Sequence, residues 1–213
     1  EEVHFDMQTL CQEREIGFLC STFTRRSTAF LVDRMGCDEL KLASSRVADS
    51  ALLDYVNSRA DQVRRVYLSP GMSTLDEVGE AVQRLGRIEE LYLLHCTSQY
   101  PTADENVNLH AMLTLKEAFP AYPVGFSDHS RGIEACLAAV AMGAEVLEKH
   151  FTYHLRMPGD DHAGALTPET LGTLVRALER LELMLGTRQK GPVAAEEKAL
   201  DALRVEMREV GFD

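Results

Sequence analysis

Short apolar runs alternate with amphipathic stretches along the whole chain. Each run has the length of a strand, and strands buried on both faces of a parallel sheet read as near-continuous apolar runs. Successive runs are roughly 20–30 residues apart, the size of one βα unit. The pattern therefore predicts an α/β fold, a parallel sheet covered by helices that is either doubly wound or closed as a barrel. The six runs are 17–21, 39–44, 65–69, 91–96, 122–127 and 145–151.

Capping and stop signals mark several of the helices. Ser73 predicts an N-cap after the third run, with Glu77 close to the reciprocal position of a capping box. A proline at the first helical position predicts a long helix over 168–185, and Gly186 is its candidate C′ residue. The charged, amphipathic segment 193–210 predicts an appended helix.

Composition and charge narrow the class of protein. The 213 residues are 45% hydrophobic and 26% charged, which is ordinary globular composition. No run of about 18 apolar residues and no basic-then-apolar leader occurs, so we expect a cytoplasmic protein without a membrane span. The net charge is −12 and no Lys/Arg cluster exceeds a dipeptide, so neither nucleic acid nor a membrane surface is an expected partner. A cleft can still bind a small anion locally.

The cysteines indicate reduced thiols. Their number, five, is odd, and none has Cys-x-x-Cys spacing. Cys20 and Cys96 lie inside strand-like apolar runs, which favours buried thiols over a disulfide or a metal site.

Polar side chains follow nearly every predicted strand. In parallel α/β folds the chemistry gathers at the C-terminal ends of the strands, and hydroxyls with a lysine suit a phosphate or carboxylate ligand. Neither Gly-x-Gly-x-x-Gly nor a P-loop motif occurs, so the sequence does not support a nucleotide site of the open-sheet type. The polar groups are Ser21, Thr22, Lys41, Ser44, Ser45, Arg46, Ser69, His95, Thr97, Ser98, Ser127, Asp128, His129, His150 and Thr152.

Two histidines at strand ends suggest a metal site. Side chains alternate along a strand, so Glu148 and His150 share a face, and His129 can reach the same site if its strand is the neighbour. Two imidazoles with open positions suit catalytic Mn, Fe, Co or Zn. A hydrogen-bonded, non-ligand role is an equally weighted alternative for the pair. We interpret Lys149 as structural and His95 as a polar core residue.

Several motifs together resemble the N-acetylneuraminate (sialic acid) synthase family. They occur in family order between about Phe18 and Leu185, and the combination is specific although each motif alone is weak. The resemblance implies a TIM-type (β/α) barrel. The motifs are Lys-Leu-Ala-Ser at 41–44, Leu-Leu-His-Cys-Thr-Ser-Gln-Tyr-Pro-Thr at 93–102, Gly-Phe-Ser-Asp-His-Ser at 125–130, Glu-Lys-His-Phe-Thr at 148–152 and Met-Pro-Gly-Asp-Asp-His at 157–162.

The resemblance also implies an activity. Family members condense phosphoenolpyruvate with an N-acyl-mannosamine-type aldose, giving a nine-carbon 2-keto sugar acid and phosphate. The family cofactor is a divalent metal, usually manganese, held by the residues that match His129 and His150. Asp161 matches a carboxylate that contacts the sugar, and Arg46 stands where many members carry a sugar-binding acid. The positions that match phosphoenolpyruvate-binding residues are Ser21, Lys41, Ser44, Ser69, Ser98, Tyr100 and Ser127.

The resemblance divides the chain into residues 1–188, a partial barrel domain, and residues 189–213, a helical tail or linker. Family members carry two further βα units at the start, with a catalytic glutamate and a lysine, and a C-terminal antifreeze-like domain. Six predicted strands are fewer than the eight that close a barrel. We therefore expect an incomplete barrel that does not catalyse alone, and a homodimer in the full-length form.

Two other functions remain open on the sequence. The first is a catalytically inactive ligand-binding or assembly module derived from the same fold, which the departure at Arg46 favours. The second is another metal-dependent barrel enzyme that acts on a phosphorylated keto acid, such as a relative of the heptulosonate-type synthases.

Overall fold

Six parallel strands form one sheet in the computed structural model, which describes residues 1–209. They lie side by side in sequence order, and every neighbouring pair is parallel. This confirms the predicted α/β fold with about six parallel strands. The strands are β1 (Ser21–Thr22), β2 (Glu39–Leu42), β3 (Arg65–Leu68), β4 (Glu90–His95), β5 (Val124–Asp128) and β6 (Leu147–Lys149).

Helices precede, connect and follow the strands. A π-helical turn, Phe30–Arg34, extends the second helix, and 3₁₀ turns lie at Ser44–Arg46, Asp104–Asn106 and Asp160–His162. The helices are α1 (Glu2–Glu13), α2 (Arg25–Ala29), α3 (Ser50–Ser58), α4 (Leu75–Arg84), α5 (Ala111–Ala118), α6 (Glu134–Ala141), α7 (Pro168–Leu185) and α8 (Ala194–Glu209).

The predicted helix signals are largely confirmed, with one correction. Proline is the first residue of α7, and Gly186 follows its last residue with a φ of +54°. The N-cap of α4 is Thr74 rather than Ser73. Glu77 stands three residues after Thr74, and its carboxylate accepts a hydrogen bond from the backbone N–H of Thr74 at 2.7 Å. The capping box requires this three-residue spacing.

The sheet is strongly curled. β2 and β6 are four strand-to-strand steps apart, which would separate them by about 19 Å in a flat sheet with strands about 4.8 Å apart. Nevertheless, Lys41 Nζ on β2 lies 3.5 Å from Glu148 Oε1 on β6. The six strands therefore form a curled half-barrel, with these two side chains meeting on its inner face.

Strand length follows position in the sheet. β1 has only two residues, whereas the apolar run predicted a strand over 17–21. Within the described residues β1 pairs only with β2 and β6 only with β5, so each of these two strands has a ladder on one side only. The longest strand, β4, lies between two partners.

The outer face of the sheet packs against the helices and forms the core. Leu40 and Leu42 on β2 have no exposed surface, and Lys41 between them projects to the opposite, inner face. Tyr67 and Tyr92 lie in register with Lys41 on this inner face, and buried Leu94 follows on the same face. Other fully or nearly fully buried members of the core are Leu52, Leu53, Val56, Val66, Leu68, Val78, Leu91, Leu93, Met112 and Phe126.

The chain divides into two compact units, Glu1–Leu181 and a C-terminal unit that begins at Glu182. The sheet belongs to the first unit, and the second contains α8. The domain boundary expected after residue 188 stays a prediction. No helix among the residues described is long and apolar enough to cross a membrane.

Candidate active site

A buried lysine lies at the centre of the inner face. Lys41 is 5% exposed, and its ammonium donates to Ser69 Oγ at 2.7 Å and to the carbonyl of Leu42 at 3.2 Å. Ser69 directly follows β3, the neighbour of β2. Because parallel strands end at the same edge of the sheet, these two predicted residues meet at the C-terminal end of the half-barrel.

Two side chains on β5 and β6 complete this cluster. Ser127 and Glu148 are register partners, and the serine hydroxyl donates to Glu148 Oε1 at 2.7 Å. The same oxygen faces Lys41 Nζ. Sequence reasoning did not assign a role to Glu148, although the alternation that places it on the face of His150 was a usable signal. The cluster therefore holds one cation, one carboxylate and two hydroxyls.

A second hydroxyl pair lies around Gly71. A Cβ atom at this glycine would stand 2.7 Å from Ser44 Oγ, 2.6 Å from Ser98 Oγ and 2.8 Å from Cys96 Sγ. Ser98 Oγ is buried and has no hydrogen-bond partner among the described residues. Since a buried hydroxyl without a partner is costly, it marks a place for a ligand acceptor. Sequence reasoning missed Gly71.

Cys96 bonds Ser44 through its sulfur at 3.2 Å. Burial raises the pKa of the Cys96 thiol, so it remains protonated at neutral pH and is not a nucleophile. All five cysteines are free, as the spacing predicted.

The two candidate metal histidines are neighbours. His129 follows β5 and His150 follows β6, with ring centroids 5.3 Å apart. Tyr100 stacks beside them, with its ring centroid 4.3 Å from that of His129 and 5.8 Å from that of His150. Asp161 lines the same crevice, as do the backbone and side chain of Pro101. The structure thus brings together these four predicted residues.

His129 has the geometry of an oriented ligand. The carbonyl of Thr97 accepts from Nδ1 at 2.8 Å, which leaves Nε2 as the nitrogen with a free lone pair. Burial lowers the pKa of His129, so the imidazole is neutral at pH 7. Burial likewise raises the pKa of the Tyr100 phenol, which stays a hydrogen-bond donor.

These features fit a divalent metal held by two protein ligands. The rings are close enough for both to reach one ion at a nitrogen–metal distance of about 2.0–2.1 Å. Within residues 1–209 no group of three or more His, Cys, Asp or Glu side chains is arranged as a metal site. Water and substrate oxygens would therefore supply the remaining ligands.

Two predicted residues lie apart from these clusters. Ser21 is exposed on the edge strand β1, where it is the register partner of Lys41. Arg46 directs its guanidinium to Asp49 Oδ2 at 3.4 Å and to Ser45 Oγ at 3.3 Å. Their binding roles stay predictions.

His95 and Lys149 have the structural roles that the sequence indicated. His95 is 9% exposed and bonds the carbonyl of Val107 at 3.0 Å. Lys149 is buried and pairs with Asp128 at 2.5 Å.

The fold and the site together define a class: a (β/α)-barrel-type protein with a buried cluster of a lysine, a carboxylate and two hydroxyls, and a histidine pair, at the C-terminal ends of its strands. The family model described as "NeuB family" matches residues 1–190 of this chain. The chain therefore belongs to the NeuB family, and the sialic acid synthase resemblance is confirmed.

Individual proteins agree with this assignment. The N,N'-diacetyllegionaminic acid synthase of Legionella pneumophila is 36% identical over 198 residues, which cover 90% of this chain and 54% of that protein. The human N-acetylneuraminate-9-phosphate synthase is 32% identical over 87% of this chain and 51% of that protein. The chain thus spans about half the length of these relatives. The alternative of an inactive module gains no support from them.

A solved structure gives the same result for the fold. The N-acetylneuraminic acid (sialic acid) synthetase of Leptospira borgpetersenii, solved with citrate, superposes with a TM-score of 0.83 at 33% identity. The match covers 94% of this chain and 69% of that one. The TIM-type architecture that the sequence predicted is therefore confirmed.

Proposed function

We propose that this chain carries the phosphoenolpyruvate and metal sites of a nonulosonate synthase, an enzyme that joins phosphoenolpyruvate to an N-acyl amino sugar. One observation carries the proposal. Lys41, Ser69, Ser127 and Glu148 converge on the inner face of a NeuB-family barrel, and a histidine pair lies at the same strand ends. The relatives named above, which make legionaminic acid and N-acetylneuraminate 9-phosphate, support the reaction class.

The anion of phosphoenolpyruvate suits the residues around Lys41. A buried ammonium and nearby hydroxyls bind phosphate or carboxylate oxygens through charge-assisted hydrogen bonds. Ser98 Oγ, which has no hydrogen-bond partner in the part of the chain that the structure describes, gains one from the ligand. Ser44, whose hydroxyl also lies close to the Cβ position of Gly71, donates a second hydroxyl.

The reaction needs a carbon nucleophile and a water molecule. C3 of phosphoenolpyruvate attacks the aldehyde carbon of the open-chain sugar, water adds to C2, and phosphate leaves with cleavage of the C2–O bond. Glu148 is the carboxylate that faces Lys41, and we assign it to hold and deprotonate this water. Its contacts with Lys41 and Ser127 hold the carboxylate in place for that step.

A divalent ion, Mn²⁺ by family resemblance, would be held by His129 and His150. When bound, it polarises the aldehyde of the sugar as a Lewis acid. Thr97 holds the His129 ring in the required tautomer. Tyr100, whose ring lies against His129 and meets His150 edge-on, bounds this side of the site.

The amino sugar is assigned to the crevice beside the histidines. Asp161, which lines this crevice together with Asp160, is assigned to accept from a sugar hydroxyl. Arg46 is assigned to the selection of a phosphorylated or carboxylated sugar. The candidates are N-acetylmannosamine, its 6-phosphate and 2,4-diacetamido-6-deoxymannose. A cytoplasmic location and a homodimeric full-length form complete the proposal.

Product analysis tests this function. The complete gene product is incubated with phosphoenolpyruvate, Mn²⁺ and each candidate sugar, and products are identified by mass spectrometry. The proposal expects one N-acyl amino sugar to give a product with the mass of that sugar plus pyruvate. A product formed only from an aldose phosphate without an N-acyl group would indicate a heptulosonate-type synthase instead.

A further inference from the structure

A buried ion pair links the two strand ends that carry the histidines. Asp128 on β5 and Lys149 on β6 are register partners, and each directly precedes one of the histidines. Lys149 Nζ lies 2.5 Å from Asp128 Oδ2, and the side chains are only 4% and 1% exposed. The pair therefore bridges the two strands one residue before His129 and His150.

The pair is part of a closed network around His129. Asp128 Oδ1 accepts from the backbone N–H of Ser130 at 2.8 Å and from its hydroxyl at 2.7 Å. Lys149 also donates to the carbonyl of Ser130 at 2.7 Å. The residues on both sides of His129 are thus tied to the residue that precedes His150.

The network does not face the reacting groups. Side chains alternate along a strand, so Asp128 and Lys149 point away from the face that carries Ser127 and Glu148. Burying an ion pair costs several kcal/mol per ion, and an apolar pair of similar size often gives equal or greater stability. A buried pair is best explained where it fixes one arrangement of the elements it joins.

We propose that Asp128 and Lys149 are positioning residues that set the separation of the two imidazoles, an inference that rests on the metal role of His129 and His150 in the proposed function. Metal coordination tolerates deviations of only about 0.2 Å in ligand distance. A small relative shift of β5 and β6 would therefore weaken the binding of the ion, although both histidine ligands remain present.

Variants of the full chain test this role. Asp128→Asn and Lys149→Met each leave one buried partner unpaired, whereas Asp128→Leu/Lys149→Met replaces the pair by apolar groups. The surface pair Asp54–Arg84, at 2.9 Å between α3 and α4, supplies the control double variant Asp54→Leu/Arg84→Met. Thermal unfolding measures stability, and titration with Co²⁺, followed by visible absorption, measures metal affinity.

The two measurements distinguish an effect of the ion pair on metal affinity from its effect on stability. The apolar double variant stays folded, with a melting temperature lowered because buried Ser130 loses three hydrogen bonds, and it binds Co²⁺ about 10- to 100-fold more weakly, the usual effect of losing groups that orient a metal ligand. The control double variant binds Co²⁺ like the wild type. A folded Asp128→Leu/Lys149→Met variant with wild-type Co²⁺ affinity would overturn the inference.

The metal assignment can fail separately. If the wild type binds no Co²⁺, the metal part of the proposed function is contradicted, and crystal structures of the wild type and the apolar double variant then decide the inference. A changed separation of the His129 and His150 rings supports the positioning role. Rings that superpose on those of the wild type contradict it.

Discussion

Gly71 and Ser98 approach each other so closely that position 71 has no room for a side chain. A Cβ atom at Gly71 would lie 2.6 Å from Ser98 Oγ, well inside van der Waals contact. In the proposed function an oxygen of the phosphoenolpyruvate anion occupies the space beside the Ser98 hydroxyl, which has no hydrogen-bond partner within the described residues.

Gly71→Ala is therefore expected to damage binding. The methyl group overlaps three polar side-chain atoms, so we expect a stability loss of about 1–3 kcal/mol and weaker phosphoenolpyruvate binding. Chemical denaturation and calorimetric titration measure the two effects. The matched control is Gly79→Ala in α4, where a Cβ would meet only the Phe119 ring at 3.9 Å and should stabilise the helix by about 0.5–1 kcal/mol. An unchanged affinity of Gly71→Ala for phosphoenolpyruvate would show that the loop containing Gly71 is not part of the anion site.

Ser98→Ala separates binding from folding. The hydroxyl has no hydrogen-bond partner among the described residues, so its removal should leave the free energy of unfolding unchanged or slightly higher. Phosphoenolpyruvate affinity should fall about 10-fold, the lower end of the effect of one hydrogen bond to a charged group. Ser58→Ala, which removes an exposed hydroxyl bonded within α3, is the control and should not alter affinity. A loss of stability with no loss of affinity would show that Ser98 has a structural role.

Lys41→Met should give the largest loss of anion binding. It removes the buried cation that contacts Ser69, and a charge-assisted hydrogen bond is worth about 1.5–3 kcal/mol, so affinity should fall about 10- to 100-fold. Lys190→Met, at an exposed position, tests for a general effect of charge. If both variants bound phosphoenolpyruvate equally well, Lys41 would not be part of the anion site.

The pH dependence of stability should show a contribution from His95. Burial lowers the pKa of His95 from 6.5, so the unfolded state binds a proton more readily than the folded state below pH 6.5. Stability contributed by the neutral ring is present above pH 6.5 and is lost as the pH falls through the folded pKa. We expect a smaller decrease in stability between pH 7.5 and 5.5 for His95→Gln than for the wild type.

His129, whose pKa burial also lowers, should leave a residual slope in His95→Gln. If stability depended on pH identically in the wild type and in His95→Gln, the contribution assigned to His95 would be contradicted.

The sequence predicted the sheet well because burial on both faces produces apolar runs. β2, β3 and β6 lie within those runs, and β4 and β5 each extend one residue beyond theirs. The prediction failed at β1, because an apolar run does not show whether a strand has one ladder or two. Strand-end position was sufficient to select Lys41, Ser69 and Ser127.

Contacts across the curl were not predictable from the sequence. Lys41 and Glu148 are 3.5 Å apart only because four strand-to-strand steps bend into a half-barrel, and periodicity within one strand carries no information about that bend. Gly71 was missed for a similar reason, since a glycine in a loop shows its role only when the neighbouring side chains are located.

The central claim is that this site joins phosphoenolpyruvate to an N-acyl amino sugar. The most direct test is the rate of phosphate release from phosphoenolpyruvate by the complete gene product, measured with Mn²⁺ in the presence and absence of the sugar. We predict that phosphate release requires the sugar and is lost in Lys41→Met. Release that is independent of every amino sugar, or that persists at the wild-type rate in Lys41→Met, would contradict it.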